Sequence, residues 1–437
     1  MHKLLILLLP IALLPACQSL PQMQNKQDPS TGVKYEFSFI KQQSVFGQIG
    51  EIEIESGDSL PVIARYFGLG FDEITLANPK VDPWLPESGV KIKLPSRFIL
   101  PDSPRTGLVL NLDAKRLFYY PKNKKNKVIT FPIGIGRKGW KTPTGKTRII
   151  AKKKHPSWVV PKSILLEHAK KGDPLPGVVA AGPNNPLGDY AIRLGIPGYL
   201  IHGTNKPYGV GMAVSHGCVR LYPEDIELLF KQVKTKMPVR LLHQPFLIGW
   251  NRGELYIQVY PRTQFNKNRN RKRLASFKRK LKRIEHGSKR RIAWHKVETA
   301  ITRSNGIVIP VFADNVKDES TARFSHPLNL DQHVRPASLA GESWRIKVTE
   351  FPDGYSAKRF AVMLNHQGPP VPAHMVSGNS GFIVVAGPFD SEKKARTSIA
   401  QLHIDFGLDA TLIEPGSDVP GMQDNFPFFS YMLSFLD

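Results

Sequence analysis

One stretch of the chain concentrates the groups that can do covalent chemistry. The segment IHGTNKPYGVGMAVSHGCVRL, residues 201–221, holds His202, Ser215, His216, Gly217, Cys218 and Arg220. A cysteine has a pKa near ~8.5 and reacts as its thiolate. A nearby imidazole can take that proton and later return it to a leaving amine. Gly203 and Gly217 allow close backbone approach and unusual torsions, and successive N–H groups around Gly217 and Cys218 can stabilise a tetrahedral oxyanion. The chemistry expected is acyl transfer through a cysteine thioester. Two other readings stay open at this point. One is a buried structural cysteine with unrelated histidines. The other is a metal held by His202, His216 and Cys218, since zinc accepts such ligands; the HGC run counts against it by crowding two ligands two residues apart.

These residues sit in a strand-rich region, Gly107 to His243. VLNLDAKRLFYY and KVITFPIGIGR read as a hairpin, with the basic run Lys122 to Lys127 at its turn. Turn signals follow at Pro143-Thr144-Gly145, Pro176-Gly177, Gly182-Pro183-Asn184-Asn185-Pro186 and Ile196-Pro197-Gly198. Such punctuation predicts a mostly-β domain with functional loops. The short repeat Gly134-Ile-Gly136 lacks the third glycine and the helix that phosphate cradling needs, so no nucleotide cofactor is expected.

The segment resembles the active site of the YkuD-type L,D-transpeptidases, with an upstream HG[ST] and a downstream SHGC[IV]R. The likeness extends to Trp140–Gly145, Pro156-Ser157-Trp158 and Gly182–Gly188. It is closest in arrangement to the Gram-negative subgroup that includes Braun-lipoprotein-attaching enzymes. The resemblance implies a catalytic domain at 101–243, a β-sandwich or barrel-like mixed sheet without metal or cofactor. It implies Cys218 as nucleophile and His202 as general base and acid, oriented by the Gly203 carbonyl. His216, Gly217 and Cys218 would supply oxyanion-hole amides. Ser215, Thr204 and Arg220 are the expected substrate-side residues. Arg220 suits either a substrate carboxylate or a structural ion pair. The implied reaction is ping-pong: Cys218 attacks the carbonyl of the third residue of a tetrapeptide stem, D-Ala leaves, and an amine resolves the thioester. That amine could belong to another stem's diaminopimelate, a lipoprotein lysine or a D-amino acid. Water as acceptor would make a carboxypeptidase or hydrolase, and a non-catalytic wall tether is the reading from another class.

Two flanking modules are legible. Over 49–97, Ile52 and Ile54 alternate with charges, the helices SLPVIARYFG and FDEITLAN follow, the second with Asp72 as its cap, and Val90–Leu94 alternates again. This β-α-α-β order, with GDSL and LANP, resembles a LysM module, which implies glycan binding. Over 339–416, strand, helix, strand, strand, helix and strand follow in turn, with Gly387-Pro388-Phe389 before the second helix. This resembles a SPOR domain of the α+β ferredoxin-like architecture, which implies binding to peptide-stripped glycan strands.

The 437 residues carry 61 Lys and Arg against 36 Asp and Glu, a formal charge of +25. That surplus fits a polyanion: nucleic acid, anionic lipid or an acidic wall polymer. The first seventeen residues decide among these. Lys3 precedes an apolar run, Leu4 to Leu14, too short to span a membrane. It ends at Leu14-Pro15-Ala16-Cys17, which resembles a bacterial lipobox. The resemblance implies a signal peptide at 1–16, a lipidated Cys17, a polar tether over 17–48, and a periplasmic protein anchored to the outer or inner membrane of a Gram-negative bacterium. Nucleic acid is then not an expected partner, whereas peptidoglycan and a membrane are. Residues 244–338 read as a β segment and a basic linker. Arg262 to Lys296 holds fifteen Lys and Arg against one acid, Glu285, and is expected to be solvated and mobile. Its RKRLASFKRKLKRI run can also form a helix with Leu274, Phe277, Leu281 and Ile284 on one face. Residues 417–437 are a tail with an aromatic patch, FPFFSYM.

Overall fold

A computed structural model describes residues 35–419, except 41, 125, 171, 173, 262–266, 315–320, 328–329, 331–335, 340–341 and 367–369. Cys17, its flanking segment and the tail from 420 lie outside the described residues.

The described chain starts with β1 (Tyr35–Ser38), which pairs antiparallel with a strand of the large central sheet, Tyr35 opposite Thr130. The described part of 35–48, expected as part of the tether over 17–48, is therefore packed against the sheet, while 17–34 lie outside the described residues. Phe37 and Phe39 pack on Phe46, and Phe39 also meets Tyr120 edge-on, so aromatic burial holds the segment down. Next, β2 (Val45–Gly47) leads into β3 (Gly50–Glu53), α1 (Leu60–Tyr66), α2 (Phe71–Ala77), β4 (Lys91–Leu94) and β5 (Arg97–Ile99). β3 and β4 pair antiparallel, Ile52 opposite Ile92, and β2 pairs with β5. Ile52, Ile54, Leu60, Ile63, Leu69, Ile74 and Ile92 close a small core. Gly70, not Asp72, occupies the cap of α2: the Glu73 carboxylate accepts from the Gly70 N–H at 2.7 Å. Asp72 is the second residue of the helix and pairs with Lys115.

The central unit comprises β6 (Gly107–Asn111), β7 (Arg116–Tyr120), β8 (Lys127–Pro132), β9 (Ile135–Gly136), β10 (Gly145–Lys154), β11 (Trp158–Val159), α3 (Lys162–Lys170), β12 (Val178–Val179), β13 (Tyr190–Leu194), β14 (Leu200–His202), β15 (Ala213–Ser215), β16 (Val219–Arg220), α4 (Pro223–Gln232) and β17 (Pro238–Leu242). Nine strands form one sheet in the order β1-β8-β7-β6-β17-β10-β13-β14-β16. Its inner face and α4 bury Leu108, Leu110, Ile149, Ile192, Ile201, Val219, Ile226 and Leu229. β9 and β15 form a separate parallel pair beside the β16 end.

The basic stretch is not a linker. β18 (Phe246–Asn251), β19 (Glu254–Val259) and β20 (Ile309–Pro310) form a three-stranded sheet, covered by α5 (Lys267–Ser288) and α6 (Trp294–Arg303). Phe277 and Leu281 of α5 are buried with Ile257, Val297 and Phe312, and Leu274 and Ile284 pack at the edge. The apolar stripe was legible; the surface that receives it comes from residues before and after it in the chain. β21 (Ala322–Arg323) then returns to pair with β3.

The last unit runs β22 (Trp344–Phe351), α7 (Gly354–Asn365), β23 (Ala373–Ser377), β24 (Phe382–Phe389), α8 (Glu392–Phe406) and β25 (Thr411–Ile413). The sheet order is β23-β24-β22-β25, all antiparallel. Asp353 and Ser391 cap the two helices through their side chains. Ile346, Val384, Ala386 and Leu402 lie in its core.

The units are joined by buried and half-buried polar contacts. Arg116, fully buried, meets Glu73 at 2.8 and 2.6 Å and the Gly68 carbonyl at 2.9 Å. Arg65 forms a bidentate pair with Glu224 at 2.8 Å. On the last unit, His366 bonds Ser59 Oγ at 2.8 Å and Arg359 pairs with Asp82 at 2.6 Å. Among the described residues, no helix is long and apolar enough to cross a membrane.

Candidate active site

His202 and the turn that carries Cys218 lie on neighbouring chain segments because two short strands lie side by side. β14 and β16 pair in parallel, Ile201 opposite Val219 and His202 opposite Arg220. β14 is itself held by β13, Ala191 opposite His202. The His202 ring is 3 % exposed and its Nδ1 lies 2.7 Å from the Gly203 carbonyl. A carbonyl only accepts, so Nδ1 carries the proton and the basic lone pair of the neutral ring is on Nε2. Burial lowers the His202 pKa to about 3, and the nearby Arg220 charge pushes the same way.

Cys218 is the free thiol among the described residues. Its Sγ lies 3.6 Å from the Gly198 carbonyl. Burial raises its pKa, against the lowering effects of the Leu200 backbone and of Arg220. Both members of the pair are therefore neutral at rest. The thiol is turned to a carbonyl rather than to the imidazole, an arrangement that substrate binding can tighten.

The turn that carries the thiol is clamped from inside. Ser215 Oγ donates to the Cys218 carbonyl at 2.6 Å and accepts from the Gly217 N–H at 3.1 Å. The Ser215 hydroxyl and the Gly217 amide are thus engaged with each other in this conformation. Thr142 Oγ1 donates to the Gly217 carbonyl at 2.8 Å and accepts from the Gly136 N–H at 2.9 Å. Gly217 has φ +105°, and a Cβ there would stand 2.9 Å from the Tyr199 ring. Both the torsion and the space require glycine. Thr204 is 4 % exposed and its Oγ1 accepts from the Lys206 N–H at 2.9 Å, so it shapes the turn after His202. Asn185 bonds the Pro156 carbonyl at 2.9 Å and accepts from the Leu187 N–H at 2.8 Å, fixing the loop against Gly203.

His216 belongs to a network that sequence reading missed. Its Nε2 lies 3.1 Å from Glu167 Oε2 and 3.0 Å from Arg137 Nη2, and Arg137 pairs with Glu167 at 2.5 Å. The Trp140 ring meets the imidazole edge-on at 4.9 Å. Burial and the Arg137 charge lower the His216 pKa, while Glu167 opposes them. Arg137 follows the Gly134–Gly136 run directly and could have been noticed; Glu167, on α3, carries no local signal. Arg220 is the remaining cation. Its backbone pairs with Gly134, its side chain is half-buried, and its buried Nε has no hydrogen-bond partner. Among the described residues no group of three His, Cys, Asp or Glu side chains is placed to hold a metal ion.

Residues 105–241 match the YkuD family, the L,D-transpeptidase catalytic domain, and residues 340–414 match the SPOR domain. The chain is 43% identical over 197 residues to a protein of Escherichia coli strain K12 named Probable L,D-transpeptidase YcfS, covering 44% of this chain and 61% of that one. It is 41% identical over 218 residues to Probable L,D-transpeptidase YbiS of the same strain, covering 49% and 71%. The chain thus spans less than two thirds of the first relative's length.

Proposed function

The chain belongs to the YkuD family of L,D-transpeptidases and carries a SPOR domain, and on that premise we propose that it is a cysteine transpeptidase acting on peptidoglycan stem peptides in the cell envelope. The observation that carries this reading is the parallel register of β14 and β16, which sets buried, neutral His202 beside the Cys218 turn.

In the proposed cycle the Cys218 sulfur attacks the carbonyl of the third stem residue, an L-centre of diaminopimelate, while His202 Nε2 takes the thiol proton. The oxyanion is met by the amides of Cys218 and His216; the Gly217 amide stays with Ser215. Collapse breaks the bond to D-Ala, and His202 returns its proton to the departing amine. An acceptor amine then attacks the thioester, giving up a proton to His202, which passes it to the leaving sulfur. Gly203 orients the imidazole through its carbonyl, in the position a triad carboxylate holds elsewhere. Thr142 and Ser215 hold the turn, and Arg220, with an unmet buried Nε, is the group suited to a substrate carboxylate.

The flanking units fit this role as glycan-binding modules: the LysM-like β-α-α-β unit and the SPOR domain, the latter with a ferredoxin-like strand order. Lipidation of Cys17 would anchor the chain to a membrane of the envelope.

The test is incubation of the protein with tetrapeptide muropeptides and competing amines, read by mass analysis. The expected result is loss of D-Ala and transfer to an amine, abolished by Cys218→Ala, together with a carbapenem adduct on Cys218. Release of D-Ala to water alone, in the presence of those amines, would show a hydrolase instead.

A further inference from the structure

The packed unit at 246–313 leaves one feature that the catalytic role does not use. α5 carries ten Lys and Arg against the single acid Glu285 over 22 residues. It spans about 33 Å at ~1.5 Å per residue. Its apolar stripe is turned to the packing, with Phe277 and Leu281 buried and Leu274 and Ile284 at the edge. Arg271, Lys272, Arg279, Lys280, Lys282 and Arg283 are exposed. Lys278 pairs with Glu298 and Lys280 with Asp102. Like charges four residues apart, Lys278 with Lys282 and Arg279 with Arg283, oppose the helix they sit on. Such a face is better accommodated when an external anion screens it. At its flank a groove of about 540 Å³ is lined by Arg105, Arg273 and Lys280, with Asp102 as its acid.

We infer that the outer face of α5 and this groove dock on a bilayer rich in anionic phospholipid, with headgroup phosphates as the recognised chemistry. A cationic helix face about 33 Å long, with its Lys and Arg exposed rather than paired within a cleft, suits an extended anionic surface, and clustered Lys and Arg gain attraction cumulatively near anionic headgroups. The inference does not depend on the transpeptidase reading or on lipidation of Cys17.

The experiment uses a chain starting at Gln18, which keeps every described residue and removes the signal-like segment and Cys17. Binding is measured by co-sedimentation with vesicles of phosphatidylglycerol mixed with phosphatidylcholine, and with phosphatidylcholine alone, at low and high salt. The variant carries Arg271→Gln, Lys272→Gln, Arg279→Gln, Lys282→Gln and Arg283→Gln, changes of similar helix propensity. A second variant exchanges Arg and Lys at the same positions. Circular dichroism confirms that both fold. Binding to the anionic vesicles is expected to be salt-sensitive, to fall at least about 100-fold in the glutamine variant, and to persist in the exchange variant. Unchanged binding by the glutamine variant would overturn the inference. So would equal α5-dependent binding to purified sacculi or duplex DNA at the same ionic strength, since the face would then read a wall polymer or any polyanion.

Discussion

Acidification probes the active-site electrostatics directly. An imidazole at its ordinary value near ~6.5 would be only about 3% unprotonated at pH 5, a loss of roughly 30-fold in base. His202, lowered to about 3, stays about 99% unprotonated at the same pH. At the other end, burial holds the Cys218 thiol above its ordinary value. Between these limits the proposed reacting pair is neutral thiol and neutral imidazole, and its population is constant. The rate of Cys218 acylation in single turnover, followed by intact-protein mass from about pH 5 to about pH 8, is therefore expected to be flat within about twofold. A break near pH 6.5 would show an unperturbed His202. A tenfold rise per pH unit would show attack by a small pre-formed thiolate fraction. Either result refutes the reasoning. The same shift has a stability sign. Below about pH 6.5 the unfolded chain protonates this histidine while the folded one does not, so stability falls as pH falls toward about 3. The slope is about 1.4 kcal/mol per pH unit, or about 2 kcal/mol by pH 5. Circular dichroism at each pH separates that loss from chemistry.

Other outcomes follow from single contacts. Glu167→Gln removes the carboxylate shared by Arg137 and His216; acylation is expected to slow roughly tenfold as the His216 turn loosens, with the fold unchanged by circular dichroism. Gly217→Ala places a Cβ 2.9 Å from Tyr199 at φ +105°; the expected result is loss of acylation on a folded protein, and full activity would show that the turn can re-form. Phe277→Ala empties a buried site under α5 and is expected to cost about 3–5 kcal/mol, read as earlier denaturant unfolding of the 246–313 unit; a change below about 1 kcal/mol would mean that α5 does not depend on this packing.

Much of the architecture could be read from local pattern. The alternation at Ile52 and Ile54, the apolar spacing in α5 and the strand–helix order of the last unit are properties of short windows, and hydrophobic period reports them. The candidate acyl-transfer pair was equally legible, because His202 and Cys218 lie in one short segment, residues 201–221. Charge misled where periodicity did not: fifteen cations suggested a solvated linker, yet four apolar residues on one face sufficed to dock α5 on the sheet while its cations stay exposed. The aromatic segment at Tyr35–Phe39 was read with the tether because its partner strand lies about ninety residues away.

The sequence by itself determined which residues could react and which short elements would carry them, since both depend on residue type and near-neighbour spacing. The tertiary structure alone decided their protonation and their company. The depression of His202 comes from burial and from Arg220 across a strand pair. His216 is held by Arg137 and Glu167, 79 and 49 residues away. Desolvation and long-range contacts exist only once the sheet has closed, and no local window contains them.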